Sequence, residues 1–261
     1  MTDELALRAR GGDRVALEEL VTAIQEPLYR FAVRMLWHPE DARDATQEIL
    51  IRVITHLGGF RGESSFRTWM YRVASNYLLD ARRSRVEREE YTFERFGREI
   101  DQGIAAPVED ALLIEEIKIG CTHGMLLCLD RPHRMAYILG EILEFDGAEG
   151  ARILEIEAAT FRKRLSRARA DLAAFMRAHC GLIDAARPCR CRRRVATAIA
   201  TGRVDPQNLL FARAGVRVRI EKLEALESVA ALYQSHRNMG SPPDLAADLR
   251  RLLDEAASGP E

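Results

Sequence analysis

Apolar residues recur at helical spacing along almost the whole chain, while strand-like alternation is sparse. Leu17, Leu20, Val21, Ile24, Leu28, Phe31, Ala32 and Met35 follow the i, i+3, i+4, i+7 rule of a helix that buries one face. Phe66, Trp69, Met70, Val73 and Tyr77 repeat it, and Phe161, Leu165, Ala168, Leu172 and Phe175 draw a further stripe. A chain of 261 residues, 47% of them hydrophobic, can build cores from such stripes, so an all-α fold divided into small domains is expected.

Punctuation divides the periodic runs. Pro27 marks a point where the first long helix is free to kink, and Trp37-His38-Pro39 ends it. A second helix is expected over about 40–57, with Ile49, Val53 and Leu57 on one face, stopped by Gly58-Gly59. After the polar loop Arg61-Gly62-Glu63-Ser64-Ser65, a third helix begins at Phe66 and ends in Arg82, Arg83 and Arg85. Residues 87–116 hold ten acids against three bases, with Gly97, Gly103 and Pro107 among them, and read mostly as a linker. Helices resume over 111–129 and 133–145, and Asp146 is placed to cap a short helix. From Gly147 to Met176 the order is short helix, turn, longer helix, the pattern of a helix-turn-helix. Further helices are expected near 193–201, 216–236 and 243–257.

The formal net charge is −1, which hides strong segregation. Residues 58–86 carry +4 and residues 155–194 carry +7, whereas 87–116 carry −7. Such basic segments are the electrostatic footprint of nucleic-acid contact. In Thr160-Phe161-Arg162-Lys163-Arg164-Leu165-Ser166-Arg167, one helix face offers cations for phosphates and base edges; the ordinary alternative is a solvated basic surface. The 58–86 segment mixes arginines, aromatics and a polar loop, the combination that holds unstacked single strands. Phe66, Trp69 and Tyr77 lie on the apolar stripe, and Trp69 is read as core. Neither a phosphate-cradling glycine loop, a metalloprotease histidine pair nor a nucleophile elbow is present, so nothing reads as an enzyme. The N-terminal stretch has no signal-peptide character and no apolar run approaches the roughly 20 residues of a membrane span, which implies a cytoplasmic protein without membrane partners.

The order of the segments is more specific than any one of them. Asp41-Ala42-Arg43-Asp44-Ala45-Thr46-Gln47-Glu48, then Phe60-Arg61-Gly62-Glu63-Ser64-Ser65-Phe66 running on to Arg83, then Glu149 to Arg169, resemble the extracytoplasmic-function group of the sigma-70 family, bacterial RNA polymerase specificity factors. The resemblance covers about residues 3–178. It implies a region-two domain over 1–90, an acidic linker over 91–110, a region-four helix-turn-helix domain over 111–178, and a small helical extension over 179–261. It further implies docking on the polymerase β′ clamp through Asp44, Gln47 and Glu48, and contact with the β flap. Promoter contacts follow in the same way: Arg61, Ser64, Ser65, Asn76, Arg82 and Arg83 for the melted −10 non-template strand, and Thr160, Arg162, Lys163, Ser166 and Arg167 for the duplex −35 element. An anti-sigma factor would be a further partner of such a protein. Two positions depart from the family pattern: Gly150 stands where an apolar residue is usual, and Glu155 where the turn usually has glycine.

Minimal members of the group end near residue 178, so the extension is additional. The five cysteines are an odd count, against a disulfide framework. His179, Cys180, Cys189 and Cys191 supply the four donors that a tetrahedral zinc or other soft-metal site needs, at a spacing unlike standard zinc fingers. The alternative is that these cysteines are unliganded. Cys121 and Cys128, at i and i+7, read as core. No cofactor is otherwise required. On the residues alone, two other functions stay open: a stand-alone helix-turn-helix regulator sensing metal or redox state through its C-terminal cysteines, and a partner-binding adaptor.

Overall fold

A computed structural model describes residues 2–81, 91–212 and 229–235. Arg82, Arg83 and the helix expected near 243–257 lie outside the described residues, as does most of the one expected near 216–236. The described elements are helices and turns with no strand; the one extended pairing among them is a single backbone bridge between Cys180 and Cys189. The chain forms two compact units. Of the described residues, the first takes 2–81 and 146–158, and the second 91–145, 159–212 and 229–235. The unit boundaries therefore differ from the expected 111–178 domain, because the short helix after Asp146 groups with the N-terminal helices.

The first unit contains α1 (Thr2–Arg10), α2 (Arg14–Leu36), α3 (Pro39–Thr55), α4 (Phe66–Asp80) and α8 (Gly147–Ile153). Asp13 starts α2 by accepting the Ala16 N–H, and also pairs with Arg8 across the turn at Gly12. The helix then runs unbroken through Pro27. Its stripe, from Leu20 to Met35, is buried against α3, which turns in Ala42, Ala45, Ile49, Leu50 and Val53. Tyr71 of α4 meets Phe31 edge-on at 5.1 Å. Each such side chain contributes about 1.5–3 kcal/mol by leaving water. Truncating the fully buried Phe31 to alanine would cost about 3–5 kcal/mol.

The second unit contains α5 (Phe93–Gln102), α6 (Ala111–Leu127), α7 (Arg131–Tyr137), most of α9 (Ala158–His179), α10 (Cys191–Ala200) and α11 (Val229–Ser235). Helix α5 corrects the expectation of a linker over 91–110. Thr92 caps it by accepting the Arg95 N–H, Phe96 and Ile100 share a buried face, and Arg95–Glu99 and Glu94–Arg98 pairs brace the outside. Of the acids that suggested a solvated spacer, Glu94, Glu99 and Asp101 lie on this amphipathic helix, while Glu115 and Glu116 are buried in α6. Asp110 caps α6 through the Leu112 and Leu113 N–H groups, as Asp130 caps α7. Helix α7 passes into a π turn at Ile138–Ile142, where Leu165 of α9 fits over Gly140 so closely that a Cβ there would stand 2.6 Å from it.

The extension is not a detached domain. Helix α10 lies along α6, and Ile117, Val195, Ala198 and Val204 form their shared core. Arg194 reaches past it to donate to the carbonyl oxygens of Glu99 and Ile100, the C-terminal end of α5. One guanidinium thereby fastens α10 to α5, and the orphan carbonyls of a helix end gain a charged partner. Helix α11 packs on the π turn, and its Tyr233 donates to the Thr122 carbonyl of α6 at 2.9 Å.

Candidate nucleic-acid and partner interfaces

Helix α3 presents Asp44, Gln47 and Glu48 at i, i+3 and i+4, on the side away from its buried stripe. Asp44 is exposed, and Gln47 and Glu48 are half-buried. Glu48 pairs with Arg52 at 3.1 Å, and the Arg52 guanidinium lies over the Tyr77 ring at 4.9 Å. Burial pushes the Tyr77 hydroxyl pKa up, with the negative charges of Glu48 and Asp44 adding to it. The result is a small acidic patch on a rigid helix, with one aromatic ring and one arginine at its edge.

The loop before α4 is held from below and left open above. Arg10 donates to the Phe60 carbonyl at 2.8 Å, and Asp3 accepts the Phe66 N–H. Phe60, Phe66 and Trp69 pack ring against ring with centroids 5.5–5.8 Å apart. Trp69 is buried, as its place on the stripe predicts. Above this floor lies a depression of about 430 Å³ with Phe60, Arg61, Ser64, Trp69, Arg72 and Arg152 on its walls. Arg61 is exposed and Ser64 half-buried. Ser65 is exposed and is the N-cap of α4: its hydroxyl accepts the Thr68 N–H and lies 2.8 Å from the Thr68 hydroxyl. Asn76 stands exposed further along α4. Arg72 was not among the expected contacts; its position four residues after Thr68 is the sequence signal that places it on the same face. Helix α8 packs on α4, with Thr68 donating to Glu149 and Arg72 near Glu155.

The turn after α8 resolves the departure at Glu155. This residue has φ 52°, the left-handed conformation that glycine adopts without strain, and Ile156 donates back to the Ala151 carbonyl. The turn keeps a glycine-like shape with a non-glycine residue. On α9, Phe161, Leu165, Ala168, Leu172, Phe175 and Met176 are buried, while Thr160, Arg162, Lys163, Ser166 and Arg167 are all exposed. Among their cations, Arg167 has an exposed partner in Asp171 at 4.0 Å, and Arg169 on the flank pairs with Glu141. An exposed pair of this kind is worth well under about 1 kcal/mol and yields readily to a phosphate.

The expected metal donors do not assemble as predicted. The His179 Nδ1 pairs with Asp101 at 3.1 Å and its ring lies against Phe175 and over Gly97. Cys180 and Cys189 are bridged by backbone, and Cys191 opens α10. Among the described residues, no three His, Cys, Asp or Glu side chains stand close enough to hold an ion as they are. Burial pushes the Cys121 thiol up to about 11 and the Cys189 thiol to about 12, so both are neutral when unliganded. No helix among the described residues is long and apolar enough to cross a membrane.

Comparison with known proteins places these interfaces in context. Residues 20–88 match the family described as Sigma-70 region 2. The chain is similar to the RNA polymerase sigma-H factor of Pseudomonas aeruginosa, 32% identical over 173 residues, spanning 64% of this chain and 89% of that protein. It is 28% identical to the ECF RNA polymerase sigma factor SigW of Bacillus subtilis over 172 residues, 63% of this chain and 91% of SigW. Its fold is similar to that of CnrH, solved in complex with the cytosolic domain of CnrY, with a TM-score of 0.50 at 24% identity, over 68% of this chain and 99% of CnrH.

Proposed function

Since this chain belongs to the extracytoplasmic-function group of the sigma-70 family of RNA polymerase sigma factors, we propose that it docks on core polymerase through Asp44, Gln47 and Glu48 and reads promoters through two separate basic faces. The observation that carries this reading is the depression beside α4: an aromatic floor, Ser64 at its side and Arg61 and Arg72 at its rim. An extruded base needs a shaped, partly apolar recess, and the phosphates on either side of it need cations. Arg61, Ser64, Arg72 and Asn76 are the −10 contacts in this account, and Ser65 serves them by starting α4. Arg82 and Arg83 extend the proposed strand contact from sequence alone.

The −35 element is assigned to Thr160, Arg162, Lys163, Ser166 and Arg167 on the exposed face of α9, a rod of a size that enters a major groove. A strand-melting face on α4 and a duplex-reading face on α9 suit promoter opening. Unstacking costs a few kcal/mol per step, and binding the displaced strand offsets it. No bond in the DNA is made or broken, so the proposed role needs no catalytic residue and no cofactor. The relatives favour this role over a stand-alone regulator. By analogy with those relatives we also assign core polymerase and promoter DNA as partners, an anti-sigma factor as a further one, and action inside a bacterial cell. The test is transcription in vitro from a genomic promoter library with core polymerase and the full chain. Start sites sharing −10 and −35 sequences are expected; uniform or absent initiation contradicts the reading.

A further inference from the structure

A cavity of about 600 Å³ opens in the second unit where the extension meets α7 and α9. Its size falls within the range of about 300–1,000 Å³ usual for small-molecule sites. Tyr137 and Glu141, where α7 passes into the π turn, form one wall, and Arg169, Ala173 and Arg177 of α9 a second. The extension closes it with Ile183 and Asp184 on one side and Val229 and Ala230 of α11 on the other. Both pieces of the extension are held in place. Arg187 donates to the Arg177 carbonyl at 3.0 Å and pairs with Asp184 at 3.3 Å. Gln234 donates to the Glu141 carbonyl at 2.9 Å, and Tyr233 meets Tyr137 edge-on at 5.5 Å.

Two polar groups on these walls are left over. Tyr137 is 1% exposed, yet among the described residues its hydroxyl has no hydrogen-bond partner. A buried hydroxyl is ordinarily satisfied, so one on a cavity wall marks the place of a hydrogen-bonding occupant. Burial pushes its pKa up, with the Glu141 charge adding to the shift, so it is a neutral donor. The second group is the exposed Arg177 guanidinium, which has no ion-pair partner among the described residues. The other charges are matched: Arg169 donates to Glu141 at 2.6 Å, and Asp184 holds Arg187. What remains is one cation, one hydroxyl and an apolar lining from Ala173, Ile183, Val229 and Ala230. We propose that this cavity binds a small organic anion, a single oxyanion group on an apolar body. Arg177 would take the oxyanion, to which a guanidinium offers paired N–H donors. The Tyr137 hydroxyl would donate to an oxygen of the ligand, and the apolar body would leave water against the alanines, Ile183 and Val229. A cationic ligand is disfavoured, because both carboxylates on the walls are already engaged. Arg169, Ala173 and Arg177 continue along α9 the row of Arg162 and Ser166, at steps of three or four residues. If those two are −35 contacts, one helix face would carry DNA at one end and the ligand at the other; the site itself does not depend on that assignment.

The test uses the full chain with anilinonaphthalene sulfonate, an apolar anion that fluoresces when it leaves water, as the probe. Octanoate and octylammonium, which share a tail and differ in charge, are the competitors. One saturable site per chain is expected, emptied by octanoate at concentrations where octylammonium has no effect. Arg177→Ala should weaken probe binding roughly tenfold or more, the worth of a hydrogen bond to a charged group. Tyr137→Phe should weaken it a few-fold with helicity unchanged, and Ile183→Trp, which fills the cavity, should abolish it. Arg98→Ala, on the exposed side of α5, should bind as wild type does. No saturable site, equal displacement by octylammonium, wild-type affinity in Arg177→Ala, or an equal loss in Arg98→Ala would overturn the proposal. If Ile183→Trp fails to fold by circular dichroism, the exposed Arg177→Ala variant decides.

Discussion

The carboxylate of Glu116 accepts the backbone N–H of Ala212 at 2.7 Å, joining α6 to a residue 96 positions later in the chain. Its two oxygens also take the Phe211 and Leu210 N–H groups at 2.9 Å, and the Phe211 ring stacks on His123. A carboxylate with three backbone donors is a fastening, because each of these amides would be orphaned without it. Glu116→Ala should cost at least about 2 kcal/mol, and Glu116→Gln, which keeps one carbonyl oxygen, less. Amide exchange checks it: the Leu210, Phe211 and Ala212 protons should lose protection in Glu116→Ala well before the core of α2. Unchanged protection would remove the strap from the account.

Charge reversal on α3 should separate binding from folding. Asp44→Lys combined with Glu48→Lys alters an outward patch whose Glu48–Arg52 pair is worth about 0.5 kcal/mol. The melting temperature should therefore stay within a few degrees of wild type, while affinity for core polymerase falls by more than roughly tenfold, as expected where like charges replace complementary ones. Calorimetry and a pull-down titration measure the two.

Ser65 should behave as a cap rather than a base contact. Ser65→Ala removes the acceptor for the Thr68 N–H and should lower stability by about 1 kcal/mol; Ser65→Asp, another good N-cap, should restore it. Arg61→Ala and Arg72→Ala should do the opposite, leaving stability alone and each reducing the salt dependence of promoter-complex formation by about one phosphate.

The left-handed Glu155 stores strain that glycine would relieve. Glu155→Gly should stabilise the first unit by up to about 1 kcal/mol, since the lost Arg72 contact is exposed and long. Chemical denaturation would show it, and a destabilised variant would mean that the Glu155 side chain contributes more than its strain costs.

Lys163→Ala with Arg167→Ala should weaken binding to a duplex −35 fragment uniformly at low salt and flatten its salt slope by about two ions, without loss of helicity. Fluorescence anisotropy over a salt series reads this directly.

Much of this architecture is legible in one sequence because α2, α3, α4, α6 and α9 each carry their own apolar period. The exposed faces of α3 and α9 followed at once, since the buried stripe dictates what remains outside. Helix α5 was obscured because its acids dominate the local average, although Thr92, Phe96 and Ile100 mark a cap and a buried face. The capping role of Ser65 was not legible, because a serine before a helix suits both a cap and a ligand contact, and the bond from the Thr68 N–H appears only in the structure. The fastening of the extension was invisible for a different reason. Arg194 on the end of α5, Glu116 under Ala212 and Ile117 in one cluster with Val195 join residues about 80–100 positions apart, and no local pattern encodes such pairs.

The account rests on one chain docking on polymerase by α3 and opening promoters by α4. Its most direct measurement is runoff transcription with core polymerase and a promoter containing both elements, comparing wild type, Asp44→Lys with Glu48→Lys, and Arg61→Ala with Arg72→Ala. Wild type should initiate; the α3 variant should fail to bind core; and the α4 variant should bind core yet recover activity only on a template already mismatched across the −10 element. Full activity of either variant on the duplex promoter, or no initiation by wild type, would contradict it.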